Sequence, residues 1–60
     1  MPNVPYRFLR AAEVVELVGL SRSTLDRLER ASRFPRRRPV ASRAVAWIST
    51  EIAAWMEKNR

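Results

Sequence analysis

The sequence predicts a small, mainly α domain in the order helix, turn, helix, basic β-hairpin, helix. Three observations carry that prediction. The stretch VVELVGLSRSTLDRL, from Val14 to Leu28, joins an apolar-periodic helix to a serine-capped second helix through Gly19, the sole glycine of the chain. Pro35 and Pro39 then interrupt an arginine-rich segment and rule out a helix through Arg36 to Val40. Finally, apolar residues return at helical spacing before the C-terminus. The first observation describes a helix-turn-helix, an arrangement that presents its second helix to the DNA major groove.

Each element has its own justification. Met1 to Tyr6 carries two prolines and no periodicity, so residues 1–6 are expected to form an extended arm and residues 7–60 the domain. Ala11, Val14, Val15 and Val18 fall at i, i+3, i+4 and i+7, one apolar helical face, with Glu13 and Glu16 on the other side. Gly19 ends that helix, because glycine enters the left-handed conformation without steric cost. Ser21 is the expected N-cap of the second helix, which runs to about Ala31 with Leu25 and Leu28 as its buried stripe. Its outward residues are Arg22, Ser23, Asp26, Arg27, Glu29 and Arg30, and Asp26 is four residues from both Arg22 and Arg30.

After Phe34-Pro35, branched and aromatic residues alternate. Val45 and Trp47 fall on one side of a strand, and Ala44, Ala46 and Ile48 on the other. Strands over 37–40 and 44–47, joined by Ala41-Ser42-Arg43, are expected to form the hairpin. Ser49 is the expected cap of the last helix, with Glu51 suited to its first turn. Ile52, Trp55 and Met56 form that helix's apolar face. The spacing of Trp47 and Trp55 with Val45, Ile52 and Met56 assigns both tryptophans to the core rather than to base-stacking platforms.

Sixty residues allow one small domain, with a dense core to compensate for its size. The chain has no cysteine or histidine, which excludes disulfides, thiolate metal sites and imidazole chemistry. No metal or cofactor is expected. No apolar run reaches the roughly 18 residues of a membrane span and no signal-peptide core is visible, so a cytoplasmic, nucleoid-associated protein is expected. Charge is concentrated in mid-chain. Eight arginines between Arg22 and Arg43 face only Asp26 and Glu29, and this window accounts for the whole net charge of +6. Arginine favours bidentate contacts to phosphate and guanine. Catalysis finds no support: no nucleophile–base pair or glycine-rich phosphate loop is present, and Glu13 and Glu16 have ordinary helix-surface spacing.

The segment RFLRAAEVVELVGLSRSTLDRLERASRFPRR, followed by RAVAWISTEIAAWM, resembles the AlpA family of small phage-type regulators. These are similar to excisionases and to the DNA-binding domains of MerR-type proteins. The sharpest elements are GLSRSTL, the RFP at Arg33-Phe34-Pro35, and RAVAW leading to Glu51 and Trp55. The resemblance implies a winged helix-turn-helix, with the second helix in the major groove of double-stranded DNA and the hairpin as a wing on phosphates or the neighbouring minor groove. It implies that Ser21, Arg22, Ser23, Thr24 and Arg27 face DNA, and that Phe34, Trp47 and Trp55 are core. Such sequences usually carry an aromatic residue where Asp26 stands, an apolar one at Glu29 and a glycine at Ser32.

On the wing, Arg36, Arg37, Arg38 and Arg43 are the expected phosphate contacts. Because a strand alternates its side chains, either Arg36 with Arg38 or Arg37 with Arg43 should share a side. The expectation is thus a non-catalytic, sequence-specific regulator of prophage or mobile-element type. One small domain covers few base pairs, so cooperative copies on DNA, or an integrase or other protein partner, are expected to add specificity. Two alternatives stay open: an excisionase-like directionality factor that bends DNA, and a basic module that binds an acidic protein or an RNA.

Overall fold

The computed structural model describes residues 5–59. Its elements in chain order are β1 (Phe8–Leu9), α1 (Ala11–Val18), α2 (Arg22–Arg30), β2 (Arg38–Ala41), β3 (Ala44–Ile48) and α3 (Ser49–Lys58). The fold is therefore mainly α with a small antiparallel sheet, in a helix-turn-helix-type arrangement. The expected arm lies outside the described residues over 1–4. Among the described residues no helix is long and apolar enough to cross a membrane.

The helix boundaries follow local chemistry. The Glu13 carboxylate accepts from the Arg10 backbone N–H at 3.0 Å, satisfying a donor just ahead of α1. Gly19 ends α1 at φ 73°, and its N–H donates to the Val15 carbonyl. Three residues later α2 has begun, because the Ser21 Oγ accepts from the Thr24 backbone N–H at 3.2 Å. The far end of α2 closes in a Schellman motif: Ser32 N–H donates to Glu29 and Arg33 N–H to Leu28. Ser32 occupies the left-handed position of that motif at φ 60°.

The sheet differs from the expected lone hairpin. Its order is β1-β3-β2, all antiparallel, with Phe8 opposite Ile48 and Leu9 opposite Trp47. β1 is two residues long and has no period, so only pairing with β3 makes it a strand. Both hairpin strands also end one residue later than expected, leaving Ser42-Arg43 as the turn. At the start of β2, the Arg37 backbone N–H donates to Glu29 Oε2 at 3.0 Å instead of joining a ladder. A bulge at Val40, between the Pro39–Val45 and Ala41–Ala44 pairs, absorbs the altered register. Pro39, which has no N–H to donate, is tolerated because β2 is an edge strand.

Ser49 corrects another expectation. The N-cap of α3 is Ile48, with no side-chain cap bond. The Ser49 Oγ instead accepts from Arg7 N–H at 2.8 Å, while Ser49 N–H donates to the Arg7 carbonyl. The residue that looked like a helix cap ties the chain entering β1 to the junction of β3 and α3.

The core sits between the sheet and the helices. Leu9, Val14, Leu25, Phe34, Trp47 and Ile52 are buried, with Val18, Leu28, Trp55 and Met56 packed against them. Phe34 meets both tryptophans edge-on, at centroid distances of 6.1 Å to Trp47 and 4.8 Å to Trp55. Both indoles also donate to the backbone beside Phe34: Trp47 Nε1 to the Pro35 carbonyl at 2.8 Å, and Trp55 Nε1 to that of Arg33 at 2.9 Å. The link from α2 to β2 is thus held by aromatic packing and two hydrogen bonds. Val45, which the alternation places on the same side as Trp47, is exposed.

Candidate nucleic-acid interface

Helical geometry divides α2 into three faces. Leu25 and Leu28 turn to the core. Ser23, Arg27 and Arg30, at i, i+4 and i+7, point away from it and are all exposed. Arg22, Asp26 and Glu29, with the same spacing, form the flank beside the hairpin. Arg30 is a surface cation that the motif resemblance does not mark. Its helical position opposite Leu25 and Leu28 was the signal available for it.

Both acids of α2 are engaged by Arg37. Arg37 Nη2 is 2.6 Å from Asp26 Oδ1 and 2.6 Å from Glu29 Oε1, and Arg37 Nε donates to Glu29 Oε1 at 2.8 Å. The same guanidinium lies 4.6 Å from the ring centroid of Trp47. Side-chain exposure is 23% for Arg37 and 15% for Glu29, so this cluster is partly shielded from water. The Arg37 hydrogen bond holds the Asp26 carboxyl below its ordinary range, reinforced by the nearby cationic charges. Burial pushes Glu29 upward, but its side-chain and backbone hydrogen bonds from Arg37 outweigh that and leave it lowered. Arg37 is raised by its hydrogen bond to Glu29, against desolvation.

The remaining expected site residues differ in freedom. Ser21 and Ser23 are exposed, with hydroxyls 3.3 Å apart. Thr24 is half-buried, and its Oγ1 accepts from Ser21 Oγ at 2.9 Å and from Arg27 Nη2 at 3.5 Å. Arg22 is exposed, with Nε 3.8 Å from Asp26 Oδ1. On the hairpin, Arg36 and Arg38 are both exposed, while Arg37 between them is half-buried. Arg38 pairs with Glu51 at 2.6 Å, and that contact raises its pKa. Arg43 is exposed in the turn. Arg36 and Arg30 line one shallow groove with Asp26, Glu29 and Arg37, so cations from α2 and from the segment leading into β2 are brought together.

This arrangement offers an exposed helix face bearing small polar groups and arginines, flanked by further exposed arginines on and beside the hairpin. Its donors suit phosphate oxygens and the acceptor-rich edges of bases. Among the described residues no group of three or more carboxylate, thiol or imidazole side chains could hold a metal ion.

Comparison with known proteins adds two findings. The sequence model of the family described as "Prophage CP4-57 regulatory protein (AlpA)" matches residues 7–60. An uncharacterized protein, ORF88 of Enterobacteria phage P4, is 48% identical over 50 residues, which cover 83% of this chain and 57% of that protein. The chain therefore spans somewhat over half the length of this curated relative.

Proposed function

The chain belongs to the AlpA family of prophage regulatory proteins, and from that premise we propose that it is a sequence-specific double-stranded DNA-binding regulator of winged helix-turn-helix type. The observation that carries this reading is the exposed arginine face of α2 beside the basic hairpin. In this reading α2 enters the major groove. Arg22, Ser23 and Arg27 meet base edges, Arg30 stands at the rim, and the first-turn groups Ser21 and Thr24 approach a phosphate. Arg36, Arg38 and Arg43 hold the backbone on the wing side, contributing affinity rather than sequence choice.

Selection of bound duplexes from fragmented genomic DNA by the purified protein tests this reading. It should recover a defined site, bound more tightly than a shuffled duplex or an RNA of equal length. With about four to six phosphates neutralised, log affinity should fall against log salt with a slope near −4 to −5. Equal affinity for every duplex, or a flat salt response, would sink it.

A further inference from the structure

Arg37 occupies an unusual position for an arginine in a basic run. Its neighbours Arg36 and Arg38 face outward, yet its guanidinium turns in over Trp47 and spans two carboxylates of α2. Among the described residues, every hydrogen bond and ion pair linking α2 to the hairpin arm ends on Arg37: its backbone N–H, Nε and Nη2 all donate to Asp26 or Glu29. The hairpin otherwise belongs to β3, which is continuous with α3 and paired with β1. Without Arg37, α2 and the hairpin would be related only through core packing and the connecting segment that Trp47 and Trp55 hold by hydrogen bonds to Pro35 and Arg33.

We propose that Arg37 is a positioning residue: it sets where the wing stands relative to the recognition helix, with Asp26 and Glu29 as its sockets. This positioning role rests on the DNA-binding reading above and changes what three charged residues do within it. The two acids on α2 oppose the phosphates less than their number implies, because Arg37 offsets one of their two negative charges and Arg22 lies 3.8 Å from Asp26. Arg37 in turn contributes no phosphate contact of its own. A guanidinium suits this task, since its planar fork can satisfy two carboxylates while its face rests on an indole. Asp26 also lies beside Arg22, so the bracket extends to a side chain assigned to base readout.

The test compares Arg37→Gln, Arg36→Gln and the double change Asp26→Asn/Glu29→Gln in the full chain, using the selected duplex and its shuffled counterpart. Arg37→Gln should weaken binding to the selected duplex about tenfold, with the salt slope unchanged. In the DNA-free protein it should also shift the amide resonances of residues 38–44 and leave those of α1 in place. Arg36→Gln, as a contact, should lower the slope by about 0.9. The double change should reduce the ratio of selected to shuffled affinity, although it removes two negative charges. Should Arg37→Gln fail to fold, Arg37→Lys keeps the charge without the fork and should give the same resonance shifts and loss of ratio. The proposal is overturned if the Arg37 variant loses about 0.9 of slope with the hairpin resonances unmoved. Tighter binding to both duplexes by the double variant, at constant ratio, would overturn it equally. A wild-type protein with no preferred duplex would refute the DNA reading alone, since the resonances of DNA-free Arg37→Gln still decide whether the strut exists.

Discussion

Two residues in the left-handed region show how single positions divide the work of ending helices. Gly19 has open space around the point where a Cβ would stand, so Gly19→Ala meets no steric obstacle and should cost about 1–2 kcal/mol through backbone strain alone. Ser32 holds the equivalent conformation at the end of α2 with a side chain present. Ser32→Gly should therefore stabilise the domain, by about 1 kcal/mol and roughly 4–8 °C in melting temperature. Thermal unfolding of both variants checks the pair, and a melting temperature unchanged in either contradicts the assignment. Asp26 and Glu29 set the response to acid. Both are lowered in the folded chain from ordinary values of 3.8 and 4.5, so the unfolded chain takes up their protons first on acidification. Their stabilisation is fully present above the ordinary values and is lost as pH falls through the lowered ones. Melting temperature should drop less steeply below about pH 4.5 in Asp26→Asn/Glu29→Gln than in the wild type. Identical slopes would show that the bracket contributes nothing to the fold.

At the scale of elements, α2 and the hairpin are expected to separate sequence choice from affinity. Arg27 stands on the outward face of α2 with its guanidinium reaching back to Thr24. Arg27→Ala should cost about 1–3 kcal/mol on the selected duplex and relax preference at one base position, measured by repeating the selection. A uniform loss across sequences would instead make Arg27 a phosphate contact. Both helices of the turn were legible in the sequence because each carries a complete apolar period and a recognisable terminus. The hairpin was legible from the alternation of residues 44–48, but its limits were not. They depend on Glu29 drawing away the Arg37 N–H, and on β1 extending β3 to Ile48. Neither influence lies within the segment that it alters.

For the whole molecule, stability converges on the aromatic cluster that joins α2, the sheet and α3. Trp47 is fully buried and bonded to Pro35, whereas Trp55 is half-buried and bonded to Arg33. Trp47→Ala should remove about 3–5 kcal/mol, as much as a core of this size supplies, and leave the chain unfolded at 25 °C. Trp55→Phe keeps an aromatic ring against Phe34 and loses one hydrogen bond, so it should remain folded with a loss of about 1 kcal/mol. Circular dichroism with denaturant titration distinguishes the two outcomes. A folded Trp47→Ala protein would place the centre of the core elsewhere.

The sequence by itself determined the helices, the turn between them, the aromatic core positions and the concentration of arginine in mid-chain. Period, capping and charge are local properties, and each is carried by residues within a few positions of one another. Tertiary structure decided which of those charges remain available to a partner. Arg36, Arg37 and Arg38 are alike in sequence, yet among the described residues one is exposed without an ion pair, one is bound to two carboxylates over an indole, and one is paired with α3. It also decided that Phe8-Leu9 is a strand and that Ser49 ties the chain entering it. These outcomes depend on contacts between residues 8 to 42 positions apart, a separation that no local pattern encodes.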